Sequence, residues 1–364
     1  MSGLSDLWSV PPFSLQKTEK RALIGPMLVA LSRMHYAACT PYRSMVDALG
    51  CDLRLAVDPF DLPFLPAGLF KAMDLMSVER SEIVKTLTSS GTTGQAVSKI
   101  YLDRLTAGNQ QKALVKIVSS FIGGSRMPML IVDSPAVVKD RVMFSARGAG
   151  ILGFSIFGSE RMYALDAGMK VDMAGIEAFL RRHEGKPILV FGFTFMVWQH
   201  FYKELVRLKL ETGRTLDLSS GILIHGGGWK KLANEAVSPL VFGEKLKTIC
   251  GLARVHDYYG LVEQTGCVCM ECEYGRLHVS IFSDIITRRP SDFSPCEIGE
   301  KGIIQVLSVL PSSYPGHSVL TEDEGTLLGE DDCPCGRKGR YFSVSGRLRD
   351  AEVRGCSDTY AVAS

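Results

Sequence analysis

What most constrains this chain is a recurring pattern: short apolar runs of strand length alternate with stretches of helical periodicity. The runs lie at 127–132, 151–157, 188–193, 221–225 and 254–258, each bounded by Gly, Pro or polar residues. Residues 17–34 and 103–122 carry apolar side chains at helical spacing, the second from near Asp103. Strands that are apolar on both faces are buried on both faces, so the pattern predicts an α/β fold with largely parallel sheets flanked by helices. From Arg276 the pattern changes, and 277–282, 302–310 and 341–344 read as strands separated by turns. A smaller β-rich region is therefore expected towards the C-terminal end.

Charge narrows the range of partners. Lys plus Arg is 41 and Asp plus Glu is 39, a net charge of +2. Nothing here makes a basic footprint for nucleic acid or an acidic disordered block. The N-terminus has no charged segment leading into an apolar one, so no signal peptide is expected. The longest apolar stretch, 187–198, is short of the roughly 20 residues a membrane span needs. A cytoplasmic protein without a membrane contact is the expectation. In that reducing setting the ten cysteines are not a disulfide framework. Cys39, Cys51 and Cys250 are scattered and read as small core residues, and Cys296 has no assigned role.

The segment 88–99, TSSGTTGQAVSK, gathers small hydroxylated residues around two glycines, with Lys99 five residues after the second. Backbone N–H groups approach phosphate oxygens only where side chains are small, and hydroxyls and a lysine add donors and charge. It is not a P-loop, because no Lys follows Gly94 directly. A Ser/Gly-rich surface turn is the bland alternative. The run Ser89-Ser90-Gly91-Thr92-Thr93-Gly94 closely resembles the phosphate loop of the adenylate-forming enzymes.

Further motifs follow in that superfamily's order. Gly226-Gly227-Gly228 comes after an apolar strand, where glycines let backbone approach a flat ligand or merely turn the chain. Tyr259, Gly260 and Glu263 match the motif Y-G-x-T-E. The resemblance implies that Tyr259 packs on adenine and Glu263 binds Mg²⁺, an ion that keeps few protein ligands. Val262 stands where Thr is expected, leaving its phosphate contact to Thr265 or the backbone. Thr321-Glu322-Asp323-Glu324-Gly325 resembles the motif whose Asp holds the ribose hydroxyls. Gly346-Arg347-Leu348-Arg349-Asp350 resembles the G-R-x-x-D hinge, whose Arg reaches the nucleotide. Either of these alone reads as a charged turn.

The chain stops at Ser364, so the usual C-terminal domain with its catalytic lysine is expected to be missing or truncated. Lys99, Lys230 and Lys231 are the candidates for placing positive charge where negative charge develops. Within the superfamily the chain is most similar to the acyl-protein synthetases of bacterial bioluminescence operons, the LuxE family, relatives of phenylacetate-CoA ligase. The matching pieces are His35-Tyr36, Cys39-Thr40-Pro41-Tyr42, Ser98-Lys99-Ile100, the run 225–231 (HGGGWKK), 259–266 (YGLVEQTG) and 354–361 (RGCSDTYA). The resemblance implies adenylation of a fatty acid with ATP, acyl transfer to a cysteine near the C-terminus, and delivery to a partner acyl reductase. Cys356 matches that cysteine, and Arg354 nearby favours its thiolate. An inert packed Cys is its bland reading. On this basis 1–345 is read as the adenylation domain and 346–364 as a tail with the acyl acceptor.

Cys272 precedes His278 by six residues, and Cys333-Pro334-Cys335 lies downstream. Three thiolates and one imidazole suit tetrahedral Zn²⁺. Some phenylacetate-CoA-ligase-like proteins carry structural zinc on a similar set. Cys267 or Cys269 is an alternative to Cys272, and free thiols are the bland reading. Two other functional classes stay open: a phenylacetate-type acyl-CoA ligase, and a non-catalytic scaffold subunit of an acyl reductase complex.

Overall fold

The structure, a computed structural model, describes residues 3–55, 58–89, 97–139 and 146–348. The strands in chain order are β1 (Leu65–Pro66), β2 (Ile83–Thr88), β3 (Lys99–Asp103), β4 (Met127–Val132), β5 (Gly158–Tyr163), β6 (Ile188–Phe193) and β7 (Gly221–Gly226). They continue with β8 (Arg254–Tyr259), β9 (Cys269–Glu271), β10 (Leu277–His278), β11 (Ser283–Arg288), β12 (Lys301–Ser308), β13 (Ser318–Glu330) and β14 (Arg340–Arg347). The fold is mixed α/β, and the chain divides into two compact units. The first holds residues up to 121 and most of 260–348, the second mainly 122–259.

The second unit is a parallel sheet in the order β5-β4-β6-β7-β8. All residues of β4, β6 and β7 are buried, as expected for strands covered on both faces by helices. The core on one face joins Leu130, Val190 and Leu223 to Phe201, Phe242 and Leu246 from the flanking helices. Four of the five predicted runs are these strands. The fifth, 151–157, is helix Ala146–Phe154 followed by the 3-10 turn Ser155–Phe157, and the strand comes after it at β5. Arg147, Ile151 and Phe154 are buried while Leu152 and Gly153 are exposed, a helical spacing that a purely apolar run disguises.

The first unit is mainly antiparallel. Its strand order is β11-β12-β13-β14-β10-β9, with β1 added in parallel to β13 and the hairpin β2–β3 separate. Two predicted strands, 302–310 and 341–344, are β12 and β14 within two or three residues at each end. The predicted strand 277–282 is broken. It pairs for two residues as β10, and a turn closed by Ser280 then redirects the chain into β11. The 13-residue β13 carries Thr321–Gly325 at its centre, where sequence alone suggests a turn. Helices Lys17–Ala38 and Arg104–Ile122 match their predictions closely. Among the described residues no single helix is long and apolar enough to cross a membrane, and only the bent pair Lys17–Ala38 and Thr40–Ala48 passes that test together.

Candidate functional site

In the first unit the strands β2 and β3 pair from Ile83 with Asp103 to Thr88 with Lys99. Ser89 N–H donates to Ser98 O at 3.1 Å, and Ser98 N–H donates to Ser89 Oγ at 2.9 Å. Ser89 and Ser98 therefore extend the β2–β3 pairing by one step on either side of the hydroxyl-rich segment. Ser90, Gly91, Thr92, Thr93 and Gly94 lie outside the described residues. Lys99 is half exposed, with Nζ 3.8 Å from Asp74 Oδ1.

Glu263 sits in a 3-10 turn, Val262–Gln264, and is only 1% exposed. The turn is pinned from both sides. Gln264 Nε2 donates to Val306 O and Gly316 O, each at 2.9 Å, and Tyr314 Oη donates to Glu263 O at 2.8 Å. A Cβ on Gly316 would come within 2.7 Å of that same carbonyl, so glycine is required there. Gln264, Tyr314 and Gly316 are positioning residues that sequence reading did not single out. Thr265 Oγ donates to Val262 O at 2.9 Å. A carboxylate held on a fixed turn is a hard oxygen donor and fits the chemistry of a Mg²⁺ ligand.

Asp323 and Arg347, read from separate motifs, face one another across β13 and β14, with Arg347 Nε 3.6 Å from Asp323 Oδ1. Asp350 and Cys356 lie outside the described residues. His35 and Tyr42, which helped to mark the branch of the superfamily, are buried core residues.

In the second unit the glycine run is enforced by geometry. A Cβ on Gly226 would lie 2.6 Å from the Tyr258 ring, and one on Gly227 would lie 2.7 Å from Phe193. Gly227 and Gly228 have φ of +81° and +68°, a region that favours glycine. The run ends β7, beside the end of β8 where Tyr259 stands half buried, followed by an exposed Gly260. Lys230 opens the 3-10 segment Lys230–Glu235.

The four residues proposed for zinc converge. The ligand atoms of Cys272, His278, Cys333 and Cys335 all lie within 4.8 Å of one another, with His278 Nε2 3.3 Å from Cys335 Sγ. Both thiol-bearing turns close on a glycine of positive φ: Gly275 N–H donates to Cys272 O at 2.9 Å and Gly336 N–H to Cys333 O at 3.0 Å. Tetrahedral Zn²⁺ with Zn–S bonds of ~2.3 Å sets sulfurs ~3.8 Å apart, so the set fits the ion in both donor type and spacing. Cys267 and Cys269 are not in the cluster. Cys267 Sγ is 3.0 Å from Ser308 Oγ, and burial pushes both thiols up to about 12.

The comparisons with known proteins agree with one another. The chain matches the acyl-protein synthetase family LuxE over residues 2–363. It belongs to that family. The long-chain-fatty-acid–luciferin-component ligase of Vibrio harveyi is 22% identical over 358 residues, which are 95% of this chain and 88% of that ligase. Two structures of a 2-hydroxyisobutyryl-CoA ligase share the fold. The post-adenylation state has a TM-score of 0.66 at 14% identity, covering 93% of this chain and 70% of the ligase. The open conformation gives 0.64 at 14% identity, covering 94% and 78%. The fold of this LuxE-family chain is thus that of the adenylate-forming ligases.

Proposed function

We propose that this chain uses ATP to activate a carboxylic acid as an acyl-adenylate, and then passes the acyl group through Cys356 to a partner protein. The observation that carries this reading is the ordered motif series within a family of acyl-protein synthetases. Residues 1–345 act as the adenylation domain and 346–364 as the tail that carries the acceptor. Ser89, Ser90, Gly91, Thr92, Thr93 and Gly94 offer backbone and hydroxyl donors to the ATP phosphates. Gly226, Gly227, Gly228, Tyr259 and Gly260 receive the adenine, Asp323 the ribose hydroxyls, and Arg347 steadies Asp323 or the nucleotide. Glu263 holds Mg²⁺, which neutralises phosphate charge when bound.

The substrate carboxylate attacks the α-phosphorus, a P–O bond forms, and pyrophosphate leaves. Lys99 and Lys230 are the residues of this chain that supply positive charge to that step. The Cys356 thiolate then attacks the acyl carbon, a thioester forms and AMP leaves. A thiol of an acyl reductase takes the acyl group by thioester exchange. The name of the Vibrio relative supports a fatty acid as the acid. Zn²⁺ held by Cys272, His278, Cys333 and Cys335 plays a structural part, since four protein ligands leave no open position for chemistry.

The test uses radiolabelled fatty acid and ATP with the purified chain. A hydroxylamine-labile label is expected on the wild type and not on Cys356→Ala, while acid-dependent ATP–pyrophosphate exchange persists in both. Label retained on the variant refutes Cys356 as acceptor. Acyl-CoA formed instead, when CoA is added, points to an acyl-CoA ligase.

A further inference from the structure

The cluster of Cys272, His278, Cys333 and Cys335 has a charge to balance. Three thiolates and a neutral imidazole around a divalent ion leave one negative charge over. Cys272, His278 and Cys333 are 1%, 0% and 5% exposed, so water meets little of that charge. A charge in such surroundings needs an opposite charge and a hydrogen bond close by. The sequence deepens the demand, because Asp331 and Asp332 run directly into Cys333.

One guanidinium answers it. Arg276 follows the turn that Gly275 closes on Cys272, and it stands two residues before His278. Its Nη1 donates to Cys333 Sγ at 3.7 Å, a reach that suits the large sulfur atom. An aromatic ring holds the group in place, with Arg276 Cζ 5.0 Å from the centroid of Tyr341. Tyr341 is itself fixed. It pairs with His278 between β14 and β10, its ring centroid lies 5.5 Å from that of the imidazole, and its Oη donates to Asp332 Oδ1 at 2.8 Å. A single tyrosine therefore touches one ligand, the guanidinium beside a second ligand, and the acid next to it in sequence. Two further cations on this loop have contacts of their own: Arg337 lies over the Phe121 ring at 4.0 Å, and Lys338 Nζ donates to Asp331 O at 3.1 Å.

An N–H donated to a metal-bound thiolate withdraws electron density from the sulfur and offsets its charge. Partners that orient metal ligands in this way are worth about 10–100-fold in metal affinity. Arginine suits the task better than lysine, because its planar group can lie on a ring and still direct an N–H at the sulfur.

We propose that Arg276 is a positioning residue of the metal centre: its guanidinium offsets the surplus negative charge of the cluster and orients Cys333 towards the ion. This rests on the metal reading of the four ligands and is independent of the adenylation chemistry. The experiment uses the full chain, stripped of metal under reducing conditions and titrated with Co²⁺ and with Zn²⁺ against a competing chelator. The wild type is expected to bind one ion and to give the spectrum of tetrahedral, thiolate-bound cobalt. Arg276→Gln is expected to bind about 10–100-fold more weakly. At saturating Co²⁺ its sulfur-to-cobalt charge-transfer band is expected at longer wavelength, because a thiolate relieved of a hydrogen bond gives up its electron more easily. Arg276→Lys keeps the charge, serves as the test should the Gln variant not fold, and is expected to show both changes to a smaller degree. A wild type that binds neither ion overturns the proposal together with the metal reading. Metal binding by the wild type with unchanged affinity and an unchanged band in the variants overturns the role of Arg276 and leaves the metal reading intact. Weaker binding with an unshifted band also overturns it, since Arg276 would then act on folding and not on the thiolate.

Discussion

Acid should loosen the first unit through one pair of histidines. His35 and His317 are both fully buried, and their rings stack with centroids 4.9 Å apart. His35 Nε2 donates to Pro311 O at 3.2 Å, a bond that favours the proton, and Nδ1 lies 2.7 Å from Ser77 Oγ, but burial outweighs that bond. Burial lowers its pKa from 6.5 to about 4, and burial together with His35 lowers that of His317 as well. A histidine whose folded pKa is depressed binds its proton more readily in the unfolded chain. Stability is therefore complete above about pH 6.5 and is lost as the pH falls towards 4. For His35 alone the full effect is about 3 kcal/mol, of which about 2 kcal/mol is lost by pH 5. The wild-type curve alone will not isolate this. Burial also raises Asp257 to about 7 and Glu271 to about 8, and those groups stabilise the fold as the pH falls. The informative quantity is the difference between wild type and His35→Gln, which keeps an amide donor but does not titrate. Urea unfolding from pH 7.5 to pH 5 should show the wild type losing about 2 kcal/mol more than the variant. Parallel pH dependences for the two proteins would refute the account.

Two further outcomes follow from local geometry. Protein produced with zinc available should retain about one ion per chain, and Cys335→Ser or a strong chelator should release it and lower Tm by several degrees; elemental analysis showing no bound metal refutes the site. Gly226→Ala must push its new methyl against the Tyr258 ring at 2.6 Å and should cost about 1–3 kcal/mol in urea unfolding. Gly228→Ala meets no atom within 4 Å and should cost only the ~1–2 kcal/mol of a left-handed backbone. Equal penalties at the two positions would show that crowding is not what enforces the glycine run.

The parts legible in the sequence were those where one local rule decides the outcome. Strands β4, β6, β7 and β8 were readable because two-sided burial writes itself as an uninterrupted apolar run. The helix at Ala146–Phe154 was misread for the same reason: its apolar residues are contiguous, so periodicity could not separate helix from strand. Strand β13 was hidden by its charged centre. Glu322, Asp323 and Glu324 are tolerated in a strand because they are only half buried, which depends on neighbours remote in sequence. Cys272, His278, Cys333 and Cys335, read as a set from residue type and spacing, converge in the structure, and Cys267 and Cys269 fall outside the cluster. Gln264 and Tyr314 left no trace, since a side chain that pins a turn through backbone carbonyls has no sequence signature.

Two features that look unrelated in the sequence meet on one hairpin, β13–β14. Asp323 meets Arg347 only because β13 and β14 pair in one register, and that register already absorbs irregularities at Glu324/Gly325 and Leu327/Gly329. A strand pair with two irregularities is specified less tightly than a regular one, and a one-residue slip would turn Asp323 to the opposite face. The connection between the two strands is the segment that holds Cys333 and Cys335, and His278 on β10 pairs directly with Tyr341 on β14. A metal bound there would fix the far end of the hairpin to its neighbouring strand and so hold the register that aligns the nucleotide pair. Loss of zinc should therefore weaken ATP binding as well as lower Tm, although none of the four ligands is a nucleotide contact in the proposed mechanism. If chelation lowered Tm while leaving ATP affinity unchanged at a temperature where the protein stays folded, this mechanical link would be refuted and the cluster would act only on stability.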